Sequence, residues 1–202
     1  MWRDEPNYLF SNASGHDAYR QHVHASVEKA NGIPDAQVLS TDLASLADQV
    51  AAQGVVNVPV LDRENITYER KELEERGQDR WGDSYSRTVS VIRFEVPFVG
   101  DAEIFRIRPA TFSTSLPIAD VERTALKVTV PDSGDAAKIQ EQLSRTLDSV
   151  EQYLGWHREL WQGAEEEIRR GAREKLEARH KRLEANRAAD DGLSSLGFKP
   201  KS

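Results

Sequence analysis

Apolar residues recur every three or four positions from His16 to about Asn31, at Tyr19, Val23, Val27 and Ala30, which predicts an amphipathic helix. Asn31-Gly32 closes it and Pro34 forbids its continuation. A second short helix is expected around Leu43, Leu46, Ala47 and Val50, capped by Ser40 or Thr41 and ended by Gly54. The β-branched run Val55–Leu61 reads as a strand, with Pro59 placing it at a sheet edge or strand end. Ile66 and Tyr68 hint at another. Charge from Lys71 to Arg76, and the glycines and aspartates around Trp81, make 63–85 read as an exposed loop.

The clearest period of two lies in Thr88–Val96, where Ile92, Phe94 and Val96 face one way and Arg93 and Glu95 the other. Gly100-Asp101 offers a tight reversal, and Phe105 and Ile107 alternate with Arg106 and Arg108, so a hairpin is expected. Leu126, Val128 and Val130 mark a further strand. Half-polar strands of this kind belong to an antiparallel sheet with one covered face, and the two early helices are candidates for the cover. Trp2, Tyr8, Leu9 and Phe10, in an irregular leader, are positioned to pin the chain to the core.

From Asp135 to about Ala189 the pattern is helical almost throughout, with Asp132 or Ser133 as the expected cap. Ile139, Leu143, Leu147, Val150, Leu154 and Trp161 form one narrow stripe, and Ile168, Ala172, Leu176 and Leu183 a second. Seams this narrow suit helix-on-helix contact. One unbroken helix here would be about 80 Å long, against a radius of gyration of roughly 16 Å for a compact domain of this size. His157 and Arg158 before Gly163, and Glu165–Glu167 after it, match the ends of two helix dipoles. A helical hairpin turning near Trp161–Gly163 is therefore favoured over a continuous arm.

The expected fold class is α+β: an antiparallel sheet covered by short helices, with a long C-terminal helical hairpin or arm. The expected division is a core domain over 1–134, the hairpin or arm over 135–189, and a loop-like tail over 190–202, where Leu193, Leu196 and Phe198 are able to dock. Apolar residues are only 38% of the chain and charged residues 30%, a balance that leaves much helix surface in water. The absence of cysteine excludes disulfides, thiolate catalysis and cysteine–zinc sites, and fits a reducing compartment. No apolar core follows Met1–Pro6 and no membrane-spanning run occurs, so a cytoplasmic protein without membrane contact is expected. A net charge of −7 argues against unspecific nucleic-acid binding by the whole chain.

Candidate chemistry is sparse. His16, His22 and His24 sit near Asp17 and Glu28, but on a helix His22 and His24 point apart; only His24 and Glu28 share a face, and no third ligand is evident. A polar helix face explains them better than a metal site. No phosphate-binding loop, dinucleotide fingerprint, nucleophile elbow or zinc-protease motif occurs, so no catalytic residue, metal or cofactor is assigned and the chain is read as non-enzymatic. Arg169, Arg170, Arg173, Arg179 and Arg182 form the best nucleic-acid candidate, a basic stripe able to follow phosphates. Interleaved glutamates, as in Glu166 with Arg170 and Glu177 with Lys181, have the spacing of a solvated, salt-bridged face instead. The expected contact residues are Leu147, Leu154, Trp156, Trp161, Ile168, Leu176 and Leu183.

The run Val96–Phe105, then Arg108-Pro109-Ala110-Thr111-Phe112, then a strand and helices opening near Tyr153-Leu154, resembles a poorly characterised bacterial group. Its members are similar to accessory regions that accompany nuclease-like or signalling domains in phage-defence loci. The resemblance spans about residues 55–198 and carries no catalytic residue. It implies that activity belongs to a partner or fused effector. The function expected is thus an interaction or scaffold module that self-associates or docks an effector protein through its C-terminal helices. The alternatives are nucleic-acid binding through the basic stripe and an enzyme with an unrecognised site.

Overall fold

A computed structural model describes residues 7–78, 84–113 and 115–199; Trp2 and Trp81 lie outside them. The order is β1 (Ala13–Ser14), α1 (Gly15–Glu28), a 3₁₀ turn (Lys29–Gly32), α2 (Asp35–Ser40), α3 (Leu43–Ala52), β2 (Val60–Leu61), β3 (Thr67–Gln78) and β4 (Ser84–Val99). A 3₁₀ helix (Ala102–Arg106), β5 (Ile107–Arg108), β6 (Asp120–Val121), β7 (Ala125–Pro131), α4 (Ala136–Trp161) and α5 (Ala164–Ser195) follow. The fold is α+β with an antiparallel sheet and a long C-terminal helical arm. Two compact units result: Asn57–Leu160 with the chain up to Ala18, and Tyr19–Val56 with Trp161 onward. This division does not follow the boundary read at 134/135.

In the first unit β4 is the central strand. It pairs antiparallel with β3 from Thr67↔Glu95 to Gln78↔Ser84, with β2 at Val60↔Val99, and with β7 from Val91↔Pro131 to Pro97↔Ala125. Of the set read as facing inward, Ile92, Val96, Leu126, Val128 and Val130 are buried and Phe94 is half-buried. Over that face lies α4, whose stripe Ile139, Leu143, Leu147, Val150 and Leu154 is buried in turn. Each such side chain contributes about 1.5–3 kcal/mol on leaving water. Arg63 ties the loop before β3 to α4 through Asp148 and Glu151, both at 2.8 Å.

Two readings of the centre are corrected. Within 63–85, residues 67–78 and 84–85 are strand and not loop, while 79–83 lie outside the described residues: β3 and the first half of β4 form a two-stranded ribbon. On the Ser84 side of Val91 no third strand pairs with this ribbon among the described residues, and Glu72, Glu74, Arg87 and Thr88 are exposed, so no buried face imposes an apolar period. Leu73 opposite Val89 is its one apolar pair past that point. Likewise 103–108 does not return along β4. Ala102–Arg106 coils into a 3₁₀ helix that buries the consecutive residues Ile104 and Phe105, which a strand would send to opposite faces. β5 then pairs in parallel with β1. The reversal itself stands: Gly100 has φ 132°, and Asn57 and Asp101 exchange two hydrogen bonds, 2.7 Å to the Asp101 carboxylate and 2.8 Å to the Asn57 carbonyl.

The expected caps move as well. Asp42, not Ser40 or Thr41, caps α3 by accepting from the Ser45 amide at 2.9 Å, and Asp135, not Asp132 or Ser133, caps α4 by accepting from the Ala137 amide at 3.0 Å. The bond from the Ser45 amide holds the Asp42 carboxyl below its ordinary range, so this cap is complete at neutral pH and lost in acid. Asp42→Ala should therefore lower the denaturant midpoint of the second unit at pH 7, and Asp42→Ser should restore most of it. Equal midpoints for the alanine variant and the parent would refute the cap.

Candidate interaction surface

α5 starts from Gly163, at φ 87°, whose carbonyl accepts from the Glu167 amide. Three glutamates fill the first turn, where the helix dipole favours them. Ala164, Ile168, Ala172 and Leu176 then recur at intervals of four and are buried. Small residues permit close packing here. A Cβ on Gly54 would stand 2.7 Å from Ile168 Cδ1, and one on Gly171 would stand 2.9 Å from Val27 Cγ2. α2 and α3 both pack against α5. Trp161 is buried in the same unit, its ring 5.5 Å from Tyr19 and 5.4 Å from His22.

Polar contacts frame this seam. Arg169 bonds Asp48 at 2.7 Å and also Glu165 and Glu166; Lys175 pairs with Glu28, which keeps the Glu28 carboxyl below its usual range. The Tyr19 hydroxyl donates to Glu167 at 2.7 Å, and its pKa is pushed up to about 12, first by burial and then by that bond. Arg179 reaches Asp35 with two nitrogens and donates to the carbonyls of Ala30 and Asn31, both at 3.3 Å, so it staples the end of the 3₁₀ turn and the start of α2.

The expected contact residues thus divide. Leu147 and Leu154 are buried in the first unit, and Trp161, Ile168 and Leu176 in the second. The α5 seam read as a contact surface is covered within the chain, because α5 finds α2 and α3. Trp156 is half-buried, edge-on to Tyr153 at 4.8 Å, and Leu183 is half-buried. In the basic stripe, Arg169, Arg173 and Arg179 are held by carboxylates, while Arg170 and Arg182 have no ion pair among the described residues. His22 Nε2 lies 2.8 Å from the Gly54 carbonyl and His24 lies 3.8 Å from Glu28. Among the described residues no cluster of three or more His, Asp or Glu is arranged to hold a metal. None of the described helices is long and apolar enough to cross a membrane.

What sequence reasoning missed lies beyond Ala189. The chain from Asp190, read as loop, continues α5 to Ser195, because Ala188, Ala189 and the polar residues around them favour helix once it is propagating. Gly197, at φ 90°, ends it: its amide donates to the Ser194 carbonyl and that of Phe198 to the Leu193 carbonyl. Past Leu176 the helix extends about 28 Å, and from Lys181 onward every described residue except Leu183 is exposed. Its end carries Leu193 at 50%, Leu196 at 74% and Phe198 at 63% exposure.

No protein-family model, curated protein or solved structure matches this chain.

Proposed function

We propose that the protein is a non-catalytic contact module that self-associates through the free end of α5. The observation that carries this reading is the helix running past its own packing partners to an exposed apolar end. A solvated helix in isolation gains little from leucine and phenylalanine at its tip; a covered one gains their burial.

Charge placement favours a second copy over nucleic acid. A copy set antiparallel about the Ala185–Asn186 peptide brings Lys181 level with Asp190, His180 with Asp191, Arg187 with Glu184, and Leu193 with Ala178. No like charges then stand level with one another along residues 177–194. Mixed charge of this kind suits an antiparallel helix pair, whereas a phosphate backbone asks for uncompensated cations. Sedimentation velocity over a concentration series into the high micromolar range tests it. The full chain should shift to a dimer, and the triple change Leu193→Ser, Leu196→Ser, Phe198→Ser should return it to a monomer. A full chain that stays monomeric throughout, or a triple variant that dimerises equally well, overturns the reading.

A further inference from the structure

Residues 7–14 form a strap across the first unit. The Leu9 amide donates to the Pro117 carbonyl at 2.9 Å, those of Phe10 and Asn12 donate to the carbonyls of Phe105 and Arg106, and β1 pairs with β5. Leu9 and Phe10 anchor the strap, both buried. Phe10 is fully buried, stacked on Tyr153 at 4.7 Å and 5.6 Å from the His157 ring. It is the only non-glycine described residue with positive φ, 56°, a backbone conformation that has to be held by its surroundings.

His157 is fully buried beneath this anchor. Its Nε2–H donates to the Ile107 carbonyl at 2.8 Å, in the strand to which the strap is paired. Its Nδ1 is buried with no partner among the described residues, and since Nε2 carries the proton of the neutral ring, Nδ1 holds a lone pair. A proton there would create a buried charge and an unmatched donor together. Among the described residues no neighbour offsets that cost. The strap holds no ionisable residue in 7–14 other than Tyr8, which is exposed. On β5, Arg108 stands over the Phe112 ring; on the 3₁₀ helix, Arg106 faces Glu103; the Tyr153 hydroxyl is taken up by the Ser113 backbone; His16, Asp17, Arg158 and Glu159 are exposed. Burial and the Ile107 carbonyl are what act on the imidazole, and burial dominates, so it resists protonation.

We propose that His157 is a proton-sensitive latch: acid releases the strap 7–14 from α4 and from β5, while the sheet stays folded. The closed form binds a proton less readily than the open form, in which the imidazole returns to its ordinary value near 6.5. Latch stability is therefore complete above that value and is lost as pH falls below it, down to the closed-form value. The closed form resists protonation and the open form titrates normally, so the opening equilibrium rises as pH falls from about 7.5 to about 5, by at most about thirtyfold.

Amide hydrogen exchange on the full chain reads this directly. Protection of Leu9, Phe10 and Asn12, corrected for intrinsic rates, should fall over that range by at most about thirtyfold, while the β4–β7 ladder keeps its protection. His157→Gln retains a donor for the Ile107 carbonyl and cannot titrate, so its strap protection should be independent of pH. Unchanged strap protection in the parent, or an equal loss in His157→Gln, overturns the latch. Should that variant not fold, the imidazole resonances of His157 in the parent decide: a titration below the ordinary value supports the latch, and one at or above it refutes it.

Discussion

Gly100→Ala is expected to destabilise the first unit by about 3 kcal/mol or more. Two causes act together. The backbone at Gly100 sits at φ 132°, a region that side chains rarely enter. The added Cβ would also stand 2.7 Å from the Asn57 carbonyl oxygen and 2.8–2.9 Å from backbone atoms of Pro59. These are main-chain atoms, so relief requires moving the segment that feeds β2, and that breaks the paired bonds between Asn57 and Asp101. Urea unfolding followed by sheet circular dichroism measures the loss; a midpoint within error of the parent would show that the reversal tolerates a side chain.

Arg179→Met and Arg182→Met should behave differently although the two arginines are three residues apart. Arg179 is only 17% exposed, is forked onto Asp35 and serves two carbonyls, whereas Arg182 is exposed without an ion pair among the described residues. Hydrogen bonds to a charged group contribute about 1.5–3 kcal/mol, so Arg179→Met should cost the second unit about 2 kcal/mol or more, and Arg182→Met should leave its unfolding unchanged. Equal effects would mean that the staple at the 3₁₀ turn is incidental. The same contrast bears on nucleic acid: reversing charge at Arg179 disturbs the fold, so only the free positions Arg170 and Arg182 report on phosphate contact.

Much of the fold was legible in the sequence. Where an element has one buried face, its period survives in the residues: Ile92 and Val96 in β4, Leu126 to Val130 in β7, and the stripe of α4 were all readable. The ribbon of β3 was not, because a two-stranded ribbon without a covered face leaves Glu72 and Glu74 as acceptable as valine. The 3₁₀ helix after Gly100 imitated a strand, since Phe105 and Ile107 are two apart in either conformation and only the burial of Ile104 beside Phe105 separates them. The stripe on α5 was correctly seen as a seam. Its partner was misjudged because two short helices, α2 and α3, suffice to cover four residues of which two are alanine. The last turns of α5, 190–195, read as loop because their residues are mostly polar and carry no apolar period, and helix length there is set by propagation rather than by burial.

The account turns on α5 meeting its own copy antiparallel near Ala185. The chain has no cysteine, so Ala185→Cys gives a single thiol at the centre of the expected pairing, and mild oxidation tests that contact alone. The account predicts rapid, near-complete conversion to a disulfide-linked dimer, suppressed by adding Leu193→Ser, Leu196→Ser and Phe198→Ser. A variant that stays monomeric under oxidation, or that crosslinks no faster than the same thiol placed at Arg170, contradicts it.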